Sequence, residues 1–313
     1  MKKQLDTAIF MISVDVELLW GYVLYPTKNT ITALRSDPSS GRDSFEQLLG
    51  IFEKYNIPAT WAFVGHLFLD HCDKEDGIVH KNMPRFKDDW YSIDPGTDII
   101  SAPLYYGKDI VEKILSSPIK HEIGYHSFSH VPFSECSRQV AEAEIRAGVE
   151  LAKEFGVNLK SFVFPENKVG HVDVLKENGF NAYRVFGSWS QKHGDASPNS
   201  LTRRINAVIK GLMPPSSTEL KRLDGICETQ ASMHFGDAPL LELFLVPRAK
   251  LGVYRAIKTK SIFHIFLHSH SLLVSPSPAN KLERFLKFVS KKREEGVLEV
   301  MTMDDLASRS NED

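Results

Sequence analysis

The strongest constraint on this chain is its regular alternation of short, nearly uninterrupted apolar runs with segments of helical periodicity. Residues 8–14 are apolar at almost every position, as in a parallel strand covered on both faces. A helix is predicted over residues 42–55, with Phe45, Leu48, Leu49 and Phe52 along one side. Pro58 opens a second strand over 59–64, and Gly65 ends it. A helix over 109–116 leads to a third strand over 121–125. Ser134 or Ser137 reads as the N-cap of a long helix running to Phe155, with Gly156 as its stop. Further strands are predicted over 160–164, 180–185, 226–232, 261–267 and 297–302. Helices are predicted over 171–178 and 279–295, followed by a terminal helical turn.

Repeated β-α units joined by short connections imply a parallel sheet with right-handed crossovers. Seven or eight of them predict an α/β fold, an incomplete or distorted (β/α)7-8 barrel built as a single domain over residues 1–313. Long loops are predicted at about 70–107 and 187–225, where turn chemistry replaces periodicity. In such barrels the working residues sit at the C-terminal ends of strands. Asp15 and Glu17, His126 and His130, Pro165 and Glu166, and His268 all fall at those ends.

Composition narrows the partner class. The net charge of −2 lacks the basic excess of a nucleic-acid binder, and Lys291-Lys-Arg293 is followed at once by Glu294 and Glu295. Cys72, Cys136 and Cys227 form no C-x-x-C pair, so neither a disulfide framework nor a structural zinc knuckle is predicted. Lys2 and Lys3 precede an apolar stretch broken by Asp6, Asp15 and Glu17. That is a poor signal-peptide core and too short for a span, so the expectation is a cytoplasmic protein with no integral membrane segment. No Gly-rich phosphate loop, nucleophile elbow or Walker motif is present.

The segment His126-Ser-Phe-Ser-His130 bears most directly on chemistry. On a helical turn, two imidazoles four residues apart share a face, with Cβ atoms about 5–6 Å apart. Both then reach one ion at about 2.0–2.1 Å if it is zinc. A carboxylate from a neighbouring strand would give three protein ligands and an open position, the pattern of a hydrolytic metal site. Taken alone, such a pair is common on exposed helices that bind nothing. Asp15 and Glu17 give it weight, because strand alternation puts both on one face. Their other reading is a helix N-cap and a solvated neighbour, and the residues leave open which carboxylate ligates and which acts as a base. His268 reads as a catalytic strand-end group or as a buried histidine capping an apolar strand, with His270 as its alternate. His171 reads as serving the start of its helix, and His66 and His121 as strand-end or surface residues rather than ligands.

Taken in order, these motifs resemble the polysaccharide deacetylase (NodB-homology) family of carbohydrate esterases. Ser13-Val-Asp15-Val-Glu17 is similar to the first motif, and His126 to His130 matches H-[ST]-x-x-H. Phe162-Val-Phe-Pro165-Glu166-Asn167 sits where the third motif lines a groove wall, and Ile265-Phe-Leu-His268 looks like the last. The stretches 162–170 and 298–302 are similar to a subgroup tied to surface-polysaccharide and O-antigen loci.

The resemblance implies that Glu17, His126 and His130 hold a divalent metal, zinc by expectation, with Asp15 as general base and His268 as general acid. Pro165, Glu166, Asn167 and His270 would contact substrate, the Glu166 N–H helping to stabilise an oxyanion. The implied reaction is hydrolysis of an acetamide on an amino sugar, in a polysaccharide or its cytoplasmic precursor. Trp20, Trp61 and Trp90 are candidates to stack on a sugar ring, Trp61 being the better fit for the core. Two alternatives are a related amidohydrolase or deformylase acting on a non-polymer amide, and a catalytically degenerate glycan-binding member. The chain also departs from the family. A third-motif arginine that orients the base is replaced here by Val163 and Glu166, and an added acid raises carboxylate pKa values unless a cation compensates. Ser269 and Ser271 flank His270 where a His-Pro-His-Asn form is expected.

Overall fold

The computed structural model describes residues 5–24, 29–186, 215, 217–236, 243–269 and 276–310. Strand Ala8–Val16 is buried throughout and is the hub of the sheet. It pairs in parallel with Ile262–His268 on one side and Thr60–Phe63 on the other. Glu122–Tyr125, Ser161–Val163, Ala182–Phe186 and Ile226–Ala231 follow in parallel order. After Ser232 the same segment pairs through Met233–His234 with Ile262–His268, so it joins both ends of the sheet. Seven parallel staves therefore curl into the predicted distorted barrel. The last strand, Leu298–Val300, is not an eighth stave: it pairs only with residues 8–10 of the hub, beyond the end of Thr60–Phe63.

Period-2 alternation sorts the hub's side chains. Phe10, Ile12 and Val14 face the surrounding helices, while Ile9, Met11, Ser13 and Asp15 point inward. The expected terminal turn is a helix, Met303–Arg309, capped by Thr302 and Asp305 in a reciprocal box. Its Met303 and Ala307 fill the barrel's lower end against Ala62, Val163, Ala182 and Cys227, and Leu306 packs on Ile9, Met11 and Ile262. Depth below is thus closed, and only the C-terminal mouth is open to chemistry.

Two groups fasten that plug. Thr60 Oγ1 accepts from Met303 N at 2.9 Å and donates to Glu122 Oε2 at 2.6 Å, which also accepts from Asp304 N at 3.1 Å. Glu122 as a residue is half-buried, but its Oε1 is sealed from solvent. Burial pushes its carboxyl up to about 7 from 4.5. An acid with a raised folded pKa adds stability at low pH that is lost as pH rises through the folded value. Wild-type stability should therefore fall between pH 4.5 and 7, by up to about 3 kcal/mol. Glu122→Gln should flatten that slope in urea melts across the window; an unaltered slope would assign the effect elsewhere.

The predicted elements are present, and the long helix Arg138–Glu154 is capped by Ser137, whose side chain accepts from Val140 N, rather than by Ser134. Among the described residues two helices lie beyond the prediction, Asn29–Ser36 and Leu245–Thr259. The second contains Pro247 and Gly252, which interrupt its helical signature. Proline is tolerated in a first turn. Gly252 allows close packing on the sheet, since a Cβ there would lie 2.3 Å from the Phe263 ring. The predicted loop at 70–107 carries short strands, Lys74–Glu75 and Ile78–Val79, and a 3-10 turn, Trp90–Ile93. Most of the predicted loop at 187–225 lies outside the described residues, and its far end forms strand Lys221–Leu223 instead. Among the described residues no helix is long and apolar enough to cross a membrane.

Candidate active site

Asp15 ends the inward row of the hub strand, and Glu17 lies just past it. Leu18, at φ 46°, and the 3-10 turn Trp20–Tyr22 then fold the chain back. This puts Gly21 directly against the Glu17 carboxylate. A Cβ on Gly21 would lie 1.9 Å from Glu17 Oε2 and 2.7 Å from its Cδ. Gly21→Ala should therefore displace the carboxylate while the fold survives, because the obstructed atoms end a flexible side chain. Affinity for a divalent ion is expected to weaken about 10–100-fold, the usual cost of disturbing ligand support. Chelator-competition titration checks this, and unchanged affinity would deny Gly21 the role.

The histidine pair does not sit on a helical turn, contrary to expectation. His126 follows strand Glu122–Tyr125, and Ser127 and His130 adopt left-handed backbone at φ 59° and 63°. Such non-glycine conformations cost about 1–3 kcal/mol each and persist only where surroundings enforce them. Here Gly65 N donates to Ser127 O at 2.7 Å and His66 N to Phe128 O at 2.9 Å. Buried Glu144 accepts from Ser129 N at 2.8 Å and from Ser129 Oγ at 2.7 Å, while Trp90 Nε1 donates to that hydroxyl at 2.9 Å.

Both rings consequently face Glu17. His126 Nε2 is 3.1 Å and His130 Nε2 3.3 Å from Glu17 Oε1. His126 Nδ1 lies 2.7 Å from Val163 O, a contact only an N–H can satisfy. That bond orients the ring so that Nε2 is directed at Glu17 Oε1, an arrangement that suits a cation held among the three atoms. The donor set fits a divalent metal. Burial pushes Glu17 up, but His268, His130 and His126 outweigh it and hold the carboxyl well below the usual range.

Asp15 has a different partner, one that sequence reasoning missed. Arg184, on strand Ala182–Phe186, is 1% exposed and points into the barrel. Its guanidinium donates to Asp15 Oδ1 at 2.6 Å and Oδ2 at 2.7 Å, and to Ser13 Oγ at 2.9 Å. It also lies 4.2 Å over the Phe266 ring. Burial raises the Asp15 pKa and Arg184 lowers it; the net shift is downward. The compensating cation that an added acid such as Glu166 calls for is thus present, supplied by the next strand rather than by the third motif. The available signal was an arginine at an inward position of an otherwise apolar strand. Beneath it, His264 Nε2 meets Ser13 Oγ at 2.9 Å, and burial followed by Arg184 depresses that imidazole to about 3. His264 is therefore neutral.

His268 stands opposite Asp15 in the strand register. Its Nε2 is 3.7 Å from Glu17 Oε1 and 4.0 Å from Asp15 Oδ2, with 30% of the side chain exposed. These groups border a cavity of about 470 Å³ that has aromatic walls at Tyr22, Phe164, Phe186 and Phe266. Glu166 and Asn167 line it from a 3-10 turn in which both have φ 55°, whereas Pro165 of the same turn is buried and does not line it. His270 lies outside the described residues.

Trp20, Trp61 and Trp90 do not line this cavity. Trp20 is buried, its ring centroid 4.4 Å from that of His66, and Trp90 is buried against Ser129. Trp61 packs on Phe45 and Phe52 in the core, as expected. His171 stands at the start of its helix, as expected, as the N-cap residue in left-handed backbone; its carbonyl accepts from Val174 N at 3.0 Å, while its Nε2 meets Cys136 O instead of making a side-chain cap bond. His121 is a strand-end residue whose Nδ1 accepts from Ala59 N. His66 follows a strand end but is fully buried.

A sequence profile of the polysaccharide deacetylase family matches residues 26–186, just over half of the chain. Comparison with curated proteins gave no match. Among solved structures, the chain is similar to a protein assigned as a polysaccharide deacetylase from Mycobacterium smegmatis, at 14% identity and a TM-score of 0.63, covering 99% of this chain and 94% of that one. A protein given the same assignment from Pseudomonas aeruginosa PAO1 shares 13% identity at a TM-score of 0.57, with 97% and 91% covered. Puue allantoinase shares 11% at 0.56, with 96% and 90% covered. At these identities the likeness establishes the fold alone.

Proposed function

We propose, on the premise that this chain belongs to the polysaccharide deacetylase family, that it is a metal-dependent N-deacetylase acting on an amino sugar of a polysaccharide or of its precursor. Members of the family are hydrolases of acetamide or ester bonds in carbohydrates. The observation that carries the finer reading is the convergence of Glu17, His126 and His130 beside Asp15 and His268 in one cavity. A divalent metal, zinc by its fit to imidazole and carboxylate donors, supplies Lewis-acid polarisation when bound.

Glu17, His126 and His130 would hold that ion, with the Val163 carbonyl fixing the His126 ring. Asp15, kept ionised by Arg184, accepts a proton from the attacking water. His268, at the cavity's open side, delivers a proton to the departing nitrogen. The amide C–N bond breaks, and acetate and the free amine leave. Phe186 and Phe266 offer apolar faces to the acetyl methyl or the sugar ring, while Glu166 and Asn167, just after Pro165, are placed to bond sugar hydroxyls. His270 is proposed as a further substrate contact. All three cysteines are free of disulfides, which agrees with a reducing setting, where the substrate would be a nucleotide- or lipid-linked precursor.

Acetate release should be screened over free, nucleotide-linked and lipid-linked N-acetylated sugars, before and after metal stripping. His268→Ala is expected to lower turnover about 10²–10⁴-fold with the metal retained, the usual worth of a general acid. Unchanged turnover would move the acid role to another group. Metal-loaded protein that releases acetate from none of the sugars would overturn the reading in favour of a binding protein.

A further inference from the structure

A second cluster of metal-ligating side chains lies away from the cavity. His66, Cys72, His80 and Asp94 each offer a ligand atom, all within 4.8 Å of one another. His66 comes from the turn after strand Thr60–Phe63, and the other three come from the irregular stretch between it and helix Lys108–Leu115. His66 Nε2 and His80 Nε2 both lie 2.8 Å from Asp94 Oδ2, and Cys72 Sγ lies 3.2 Å from the same oxygen.

The proton count of this cluster is revealing. His66 Nδ1 meets the Tyr105 carbonyl at 2.9 Å, so that nitrogen carries a hydrogen. In a neutral ring Nε2 then holds a lone pair, yet it faces a carboxylate oxygen with His66 and Asp94 side chains both 0% exposed. A cation between them removes the conflict. The outer partners are in place as well: Tyr105 O orients His66, while Gly96 N at 2.9 Å and the Tyr106 hydroxyl at 3.3 Å hold Asp94 Oδ1.

We propose that His66, Cys72, His80 and Asp94 form a structural zinc site, separate from the active-site metal. Four protein ligands of mixed sulfur, nitrogen and oxygen type make a closed tetrahedral set, and a thiolate selects zinc over magnesium or calcium. One thiolate and one carboxylate neutralise the ion's two charges, so the buried site is neutral overall. Tetrahedral ligand atoms stand about 3.3–3.6 Å apart, so binding spreads the histidine and aspartate atoms by roughly half an ångström. A surface depression lined by Cys72 and His80 gives the ion a way in.

The site has a role in the architecture. It ties down the stretch between residues 69 and 107, which has little regular structure to hold it. Phe128, from the histidine segment of the active site, packs its ring 5.6 Å from His66 and 5.1 Å from His80. Trp20, just after Glu17, packs at a tilt against His66. The zinc thus backs the loop on which His126 and His130 depend.

Cobalt reconstitution tests this directly. Wild-type protein loaded with Co(II) should show a thiolate-to-cobalt charge-transfer band in the near ultraviolet, which the sulfur-free Glu17, His126 and His130 set cannot produce. Zinc content should be two per chain in the wild type, one in His126→Ala with the band intact, and one without the band in Cys72→Ser. A single ion carrying the sulfur band would support this site while failing the active-site reading. Absence of the band from cobalt-loaded wild type would overturn the proposal whatever the total metal content, and this readout needs no variant to fold.

Discussion

His126→Ala is expected to cost one bound metal and nearly all turnover, with a fall of at least about 10⁴-fold, or roughly 5.5 kcal/mol of barrier. The ring is fixed at both nitrogens: Nδ1 donates to Val163 O, and Nε2 faces Glu17 Oε1 at 3.1 Å. Alanine leaves only Glu17 and His130, two ligands where a hydrolytic site needs three. His130→Ala should behave alike, since its Nε2 approaches the same carboxylate oxygen. Metal analysis and acetate release on the same preparation separate this from His268→Ala, where the ion should stay. A His126→Ala protein that keeps its full metal complement and its rate would place the chemistry elsewhere.

Arg184→Met should have the next largest effect, and it acts on stability and rate together. Asp15 is 2% exposed where it borders the cavity, and the guanidinium spans both of its oxygens. Removing one member of such a pair strands the other and costs about 3–5 kcal/mol. Arg184→Lys should rescue little, because an ammonium cannot make two parallel bonds to one carboxylate. The pH behaviour gives the sharper signature. In the wild type the depressed Asp15 pKa contributes stability above the unfolded value, lost as pH falls through the folded one. Without Arg184, burial is opposed only by the weaker pull of His126 and His268, and the Asp15 pKa rises. The acid limb of kcat/KM should then move up by about a unit or more. Pairing Arg184→Met with Asp15→Asn should recover much of the lost stability, since neither charge then remains buried alone. Additive losses in the double variant would show that the two residues act independently.

Much of the scaffold was legible before any coordinates, because hydrophobic alternation is a local property. A period of two fixes that Ser13 and Asp15 share a face, and an apolar run ending in histidine puts His268 at a strand's mouth. Helix Leu245–Thr259 escaped that reading, as Pro247 and Gly252 are chosen for entry angle and close approach rather than periodicity. The backbone of His126 to His130 escaped it too. Histidines at that spacing suit a helical turn, and it takes tertiary bonds to Gly65, His66, Trp90 and Glu144 to hold the strained alternative.

What the chain determines alone is therefore which residues face inward and which end of each strand they occupy. Which of them meet was decided only by barrel closure. Arg184 reaches Asp15 across 169 positions because strands far apart in sequence enclose one narrow interior, where an unpaired charge is too costly to keep. His66 and Asp94 likewise meet only after an irregular segment folds back on the sheet. Alternation is settled between adjacent residues, whereas these pairings depend on register and curvature that emerge when all the staves are in place.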